Sequence, residues 1–193
     1  MTGDSKDSLI SALCGPEIWQ WDSNGSCSIS FKKDGTGLLR AGAELSIFIA
    51  AEFAWELKSS ENTEDNPSFD IQITLTTRVH PYLRESRQHY TLLNEQALTS
   101  AAFQPKTYTI RLEEGRFDEP ATPCVNSPPF LHRPPKFALR LSFDKSPFPP
   151  LEEWREEAKF AAEQCRFWEY KEFADKEVPR DGVLAALLHK VTG

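Results

Sequence analysis

Apolar and polar positions alternate with a period of two over most of residues 17–143. Successive side chains of an extended strand point to opposite faces of a sheet, so this period predicts strands with one apolar face. The alternation is clearest in residues 45–58 and 69–79, where the odd-numbered positions are almost all apolar. The polar loop between these two segments predicts that they pair as antiparallel neighbours.

Shorter segments with the same alternation surround this pair, at residues 18–21, 27–32, 108–112 and 137–143. Turn sequences such as Asn24-Gly25 separate them, and no helical pattern intervenes. Strands in this order must close on themselves or meet a second sheet to bury their apolar faces. We therefore predict a single domain, mainly β, whose residues 17–143 form an antiparallel up-and-down β-barrel of about eight strands. Residues 84–102 fit a helix and a strand equally well.

The pattern changes after Pro149-Pro150, where four glutamates fall in the first turns of a helical periodicity. It predicts a long C-terminal helix over residues 150–177 and a short terminal helix over residues 181–191. The long helix has one apolar stripe, with charged residues on its remaining surface. The predicted stripe comprises Trp154, Ala158, Ala161, Cys165 and Trp168.

The chain has 22 Lys and Arg against 29 Asp and Glu, a net charge of -7, which repels phosphate backbones and excludes nucleic acid as the expected partner. No apolar run approaches the length of a membrane span, so no membrane insertion is expected. The N-terminus lacks the features of a secretion signal, and the four cysteines show no C-x-x-C spacing. We predict a cytoplasmic protein with reduced thiols, no metal and no cofactor. Its oligomeric state stays open.

The opening of the chain resembles that of lipocalin-like proteins of the calycin group. The resemblance lies in Gly15-Pro16-Glu17-Ile18-Trp19, then Ile29-Ser30-Phe31, then the turn Asp34-Gly35-Thr36-Gly37. It departs from the family in the three residues between Gly15 and Trp19, where the family has one. The resemblance implies a barrel that binds a hydrophobic small molecule, and it carries over no catalytic residues.

An apolar interior with aromatic side chains suits a pocket for such a ligand, although the same residues would serve equally to fill a core. We predict the ligand-binding residues to be Trp19, Trp21, Ile49, Phe53, Trp55, Ile71, Ile73 and Tyr108.

The alternative function is a cofactor-free cyclase or isomerase that folds an apolar substrate of natural-product type inside the barrel. Its candidate catalytic residues are Glu52, His80 and Arg78. Glu52, Arg78, Arg111 and Arg140 share the polar face of their strands, which predicts an outer surface with cross-strand ion pairs. The enzyme hypothesis needs Glu52, His80 or one of these arginines to point inward.

Overall fold

Each strand of this protein pairs with the next one along the chain, and the last pairs with the first. The computed structural model describes residues 3–43, 46–61, 68–79, 92–121 and 136–177. Within them, eight antiparallel strands form one up-and-down sheet that closes into a ring. The predicted antiparallel β architecture is thereby confirmed. The strands are β1 (Trp19–Gln20), β2 (Cys27–Phe31), β3 (Thr36–Ala43), β4 (Ser46–Glu61), β5 (Ser68–Val79), β6 (Lys106–Asp118), β7 (Lys136–Phe143) and β8 (Glu172–Glu177).

The ring closes at its shortest strand. Gln20 of β1 lies opposite Ser28 of β2 on one side and Ala174 of β8 on the other. Trp19 holds this strand in place, because its indole Nε1 donates a hydrogen bond of 3.0 Å to the carbonyl oxygen of Leu13. Leu13 ends helix α1 (Gly3–Leu13), whose Leu9 and Leu13 side chains are buried in the core. The N-terminal helix therefore covers the ring end that Trp19 occupies.

The predicted helix over residues 150–177 is not confirmed at that length. Helix α2 covers only Glu156–Cys165, between short 3-10 turns at Leu151–Glu153 and Phe167–Glu169. Arg166 ends it in the left-handed conformation, with φ 54°. The chain then forms β8, because pairing with β7 and β1 satisfies two sheet edges that a helix would leave open. The sheet thus extends past residue 143, and the predicted helix over residues 181–191 lies outside the described residues.

Only two of the five residues of the predicted apolar stripe are fully buried. Trp154 and Ala158 are buried as expected, whereas Ala162 is buried in place of Ala161. Cys165 and Trp168 are only partly buried. Trp168 leaves the predicted stripe because the chain leaves the helix at Arg166, so Trp168 lies on a 3-10 turn instead of the next helical turn.

A bulge in β4 changes which of its residues face the core. The register shifts between Ala41 and Gly42 of β3, so that Ile47 pairs with Gly42 and Ile49 with Ala41, leaving Phe48 as the extra residue. Phe48 packs on the rings of Trp154 and Phe167. Ile47 instead joins a separate small cluster with Ala50, Val79 and Leu93. The regular alternation predicted for this strand is therefore interrupted at Phe48.

Asn94 completes the part of β4 that extends beyond the end of β5. Its fully buried side chain accepts a hydrogen bond of 2.8 Å from the Ala50 amide and donates one of 3.2 Å to the Ala50 carbonyl oxygen. Asn94 has a φ of 49°, which asparagine tolerates better than most residues. It lies on a 3-10 turn (Asn94–Gln96), followed by another at Ser100–Phe103, so the described part of the ambiguous residues 84–102 contains neither an α-helix nor a strand of the ring.

We expect Gly37→Ala to destabilise the ring. A Cβ at Gly37 would lie 2.2 Å from the Phe53 ring and 2.3 Å from the carbonyl oxygen of Ser30, so β2 or β4 must move. Overpacking of this kind costs about 1–3 kcal/mol, measured as the free energy of unfolding in urea. Ala54→Ser, at an exposed position of β4, is the control. Equal stabilities of Gly37→Ala and the wild type would contradict the packing described.

We expect Asn94→Ala to lower the free energy of unfolding by about 1–3 kcal/mol, because it leaves the buried Ala50 backbone groups without partners. Asn94→Gly removes the cost of the positive φ and should remain destabilised. Gln96→Ala, exposed on the same turn, is the matched control. A loss under about 0.5 kcal/mol for both Asn94 variants would show that the amide does not complete the sheet.

Candidate functional site

The inward face of the ring collects seven of the eight predicted ligand-binding residues. Strand register places them on one face: Trp55 lies opposite Ile73, and Ile71 opposite Tyr108. The exception is Trp21, which is half-buried and stacks on Tyr170 with ring centroids 3.7 Å apart. The seven buried residues are Trp19, Ile49, Phe53, Trp55, Ile71, Ile73 and Tyr108.

At the α1 end of the ring, the aromatic side chains are engaged with one another and with the backbone. The Trp55 indole donates to the carbonyl oxygens of Lys32 and Thr36, both at 3.1 Å. The Phe31 ring meets Phe53 and Trp55 edge-on, with centroids 5.4 and 5.5 Å away. These contacts hold the β2–β3 turn against β4, so the aromatic residues at this end contribute to the core.

A groove of about 440 Å³ opens to solvent beside this end, between the end of α1 and the β2–β3 turn. Its lining includes Cys14, Phe31 and Lys33. The Lys33 ammonium already donates to the Ser11 hydroxyl at 3.2 Å, and partial burial raises the pKa of the Cys14 thiol. The groove therefore offers neither an uncommitted Lys33 nor an activated Cys14 thiol.

Tyr108 differs from the other inward aromatic residues because its polar group is uncommitted. The ring is buried and meets Phe143 edge-on with centroids 5.9 Å apart. Lys145 Nζ lies 5.3 Å from the ring centroid. The hydroxyl donates no hydrogen bond to any residue that the structure describes. Burial, and then the charges of Glu153 and Asp144, raise the pKa of Tyr108, so the hydroxyl stays protonated and available as a donor.

Lys106 and Glu153 form an ion pair near Tyr108, with side chains 23% and 13% exposed. Lys106 lies two residues before Tyr108 on β6 and shares its strand face. The backbone carbonyl of Glu153 accepts a hydrogen bond of 2.8 Å from Thr99, which ties its 3-10 turn to the preceding connection. We missed this pair from the sequence. The alternation of β6 places Lys106 with Tyr108, but Glu153 had the pattern of a solvated helix face.

The predicted polar face lies on the outside of the ring. Glu52 and Arg78 pair with each other at 3.3 Å. Arg140 donates two hydrogen bonds to the Glu113 carboxylate, at 3.0 and 3.1 Å. The Arg140 guanidinium also lies 4.4 Å from the centroid of the Phe117 ring. The expected cross-strand ion pairs are therefore present at these positions.

This arrangement separates two of the three candidate catalytic residues from the interior. Glu52 lies opposite Leu38, in the register row next to the inward pair Leu39 and Ala51, and so faces outward. Its partner Arg78 has a largely exposed side chain. The third candidate, His80, lies outside the described residues.

No cluster of three or more metal-binding side chains occurs among the described residues. Within the same residues, no helix combines the length and apolar character needed to cross a bilayer. Comparisons with protein-family models, with curated proteins and with solved structures found no match to this chain.

Cys14 and Cys27 are free thiols in the structure. Burial raises the pKa of Cys27 to about 12. We expect iodoacetamide at about pH 8.5 to leave Cys27 unmodified in the folded protein and to modify it after unfolding in urea, as read by peptide mass mapping. The half-buried Cys14 is the internal control, and Cys27 labelling as fast as Cys14 in the folded protein would contradict the burial of Cys27.

The raised pKa of Cys27 also predicts the direction in which the free energy of unfolding changes with pH. The unfolded chain ionises Cys27 near its ordinary pKa of 9.0, whereas the folded chain keeps the proton up to about pH 12. The folded state therefore binds more protons between these values, and the contribution of Cys27 to stability falls as the pH rises through them.

Proposed function

We propose that the ring binds a hydrophobic small molecule that contacts Tyr108 through a hydrogen-bond acceptor. The observation that carries this proposal is the uncommitted Tyr108 hydroxyl beside an inward face that is otherwise apolar and aromatic. Small-molecule sites have this composition, a mostly apolar lining with a few placed polar groups. A closed sheet of eight strands is also about the size that holds one small ligand or is filled by its own side chains.

Three polar groups define the proposed polar end of the site: the Tyr108 hydroxyl, the Lys106 ammonium and the Glu153 carboxylate. Lys106 and Glu153 neutralise each other, so the site offers one strong donor, Tyr108, without a net charge. This favours a neutral ligand with a carbonyl or ether oxygen. Transfer of its apolar surface from water supplies the remaining affinity, at about 25 cal/mol per Å².

The lipocalin-like resemblance is compatible with this proposal, and membership of that family stays a prediction. The cyclase or isomerase alternative loses support from Glu52 and Arg78, because their ion pair lies on the outer face. Its remaining sequence candidate is His80. We therefore favour noncatalytic binding, and the absence of a cofactor and the cytoplasmic location stay predictions from the sequence.

The test is a fluorescence titration with Nile red, an apolar dye that carries a carbonyl acceptor. We expect micromolar or better affinity, about 8 kcal/mol of binding free energy, with quenching of tryptophan emission. Tyr108→Phe keeps the packing and removes one hydrogen bond of about 0.5–1.5 kcal/mol, so the affinity should fall about 2- to 10-fold.

Arg111→Gln is the matched control for this titration, since Arg111 is exposed on the same strand. It should leave the affinity unchanged. The proposal fails if the wild type does not bind the dye, or if Tyr108→Phe and Arg111→Gln have the same effect.

A further inference from the structure

Two glutamates that are adjacent in the chain have opposite environments beside the proposed ligand site. Glu152 and Glu153 both lie on the 3-10 turn Leu151–Glu153. Glu152 is exposed, whereas the Glu153 side chain is 13% exposed and forms an ion pair with Lys106. Withdrawal of a carboxylate from water costs free energy unless the carboxylate gains a partner, and Lys106 supplies that partner.

The backbone of this turn fixes the position of the Glu153 carboxylate. The Glu153 amide donates a hydrogen bond of 3.0 Å to the carbonyl oxygen of Pro150, and the Glu153 carbonyl oxygen accepts one of 2.8 Å from the Thr99 amide. The next residue, Trp154, is buried, and its indole donates to the carbonyl oxygen of Pro149 at 3.0 Å. These bonds hold the turn in place, so the carboxylate remains beside its ammonium partner.

Two ammonium groups and two carboxylates of the described residues lie around the Tyr108 hydroxyl. Lys106 shares the strand face of Tyr108, and the Lys145 ammonium lies 5.3 Å from the centroid of its ring. The charges of Glu153 and Asp144 both raise the pKa of Tyr108, so their carboxylates lie within electrostatic range of its hydroxyl. The four charges cancel, and loss of one carboxylate would leave this end of the site positive.

We propose that Glu153 determines the charge class of the ligand, because it excludes hydrophobic carboxylates and admits neutral compounds. This inference rests on the proposed function, since it concerns the same ligand. A ligand carboxylate near Tyr108 must compete with Glu153 for the Lys106 ammonium, and the carboxylate that loses stays without a partner. A neutral oxygen acceptor meets no such competition, because it needs only the Tyr108 hydroxyl.

The test compares two fluorescent ligands that differ only in charge, dansylaminoundecanoic acid and its methyl ester. Each is titrated into the full chain at neutral pH, and the ratio of the two dissociation constants separates the effect of charge from that of apolar contacts. We expect the wild type to bind the ester at least about tenfold more tightly than the acid. A wild type that binds the acid as tightly as the ester overturns the inference, whether or not any variant folds.

Glu153→Gln keeps the shape of the side chain and removes its charge, so that a ligand carboxylate can pair with Lys106. We expect it to raise the affinity for the acid about tenfold or more, and to change the affinity for the ester less than about twofold. Glu152→Gln is the matched control, since it makes the same change of net charge on the same turn. It should leave both affinities unchanged. Equal affinities of the two variants for the acid overturn the inference.

The inference and the proposed function fail on different results. If neither the acid nor the ester binds to the wild type, the proposed function fails and the role of Glu153 fails with it. If the ester binds to the wild type and Glu153→Gln does not change the ratio of the two dissociation constants, the proposed function stands and only the role of Glu153 fails.

Discussion

Closure of the sheet across Trp19–Gln20 is the interaction on which the rest of the structure depends. An up-and-down sheet has two open edges. Without closure, those edges would be β1 and β8, the first and last strands in the order. Two residues of β1 remove both edges, since Gln20 pairs with β2 and with β8. So short a strand has few hydrogen bonds of its own. The Trp19 bond to Leu13 and the stacking of Trp21 on Tyr170 hold it from its two sides.

The connection between β7 and β8 supplies much of the aromatic core beyond the strands. The rings of Phe148, Trp154 and Phe167 come from this connection and are almost fully buried. Phe148 meets Phe173 of β8, and Phe167 stacks on Trp154 with centroids 5.6 Å apart. The β4 bulge directs Phe48 into the same cluster. One connecting segment therefore links β8 to the bulged strand β4.

Buried polar groups in this protein fall into two kinds. The side chains of Asn94 and Asp22 form hydrogen bonds with backbone groups that the sheet leaves unpaired, and these bonds stabilise the fold. The Arg40 Nε has no such task, because it is sealed from solvent and has no hydrogen-bond partner among the described residues. An unused buried donor costs free energy without stabilising the fold. The Tyr108 hydroxyl also lacks a partner among the described residues, and it directs our proposed function to the inside of the ring.

The sequence alone determined the strands whose alternation is regular, their antiparallel order, and that Glu52, Arg78 and Arg140 lie on the polar face of their strands. Those features follow from period-two patterning and short turns, which are local properties of the chain. Only the tertiary structure decided that residues 172–177 form a strand, that Phe48 turns inward, and that Glu153 reaches Lys106. Each of these depends on partners distant in the sequence: the open edges of β7 and β1, the register with β3, and the path between β7 and β8. Local periodicity carries no information about such partners, because register and closure are settled only when the strands meet.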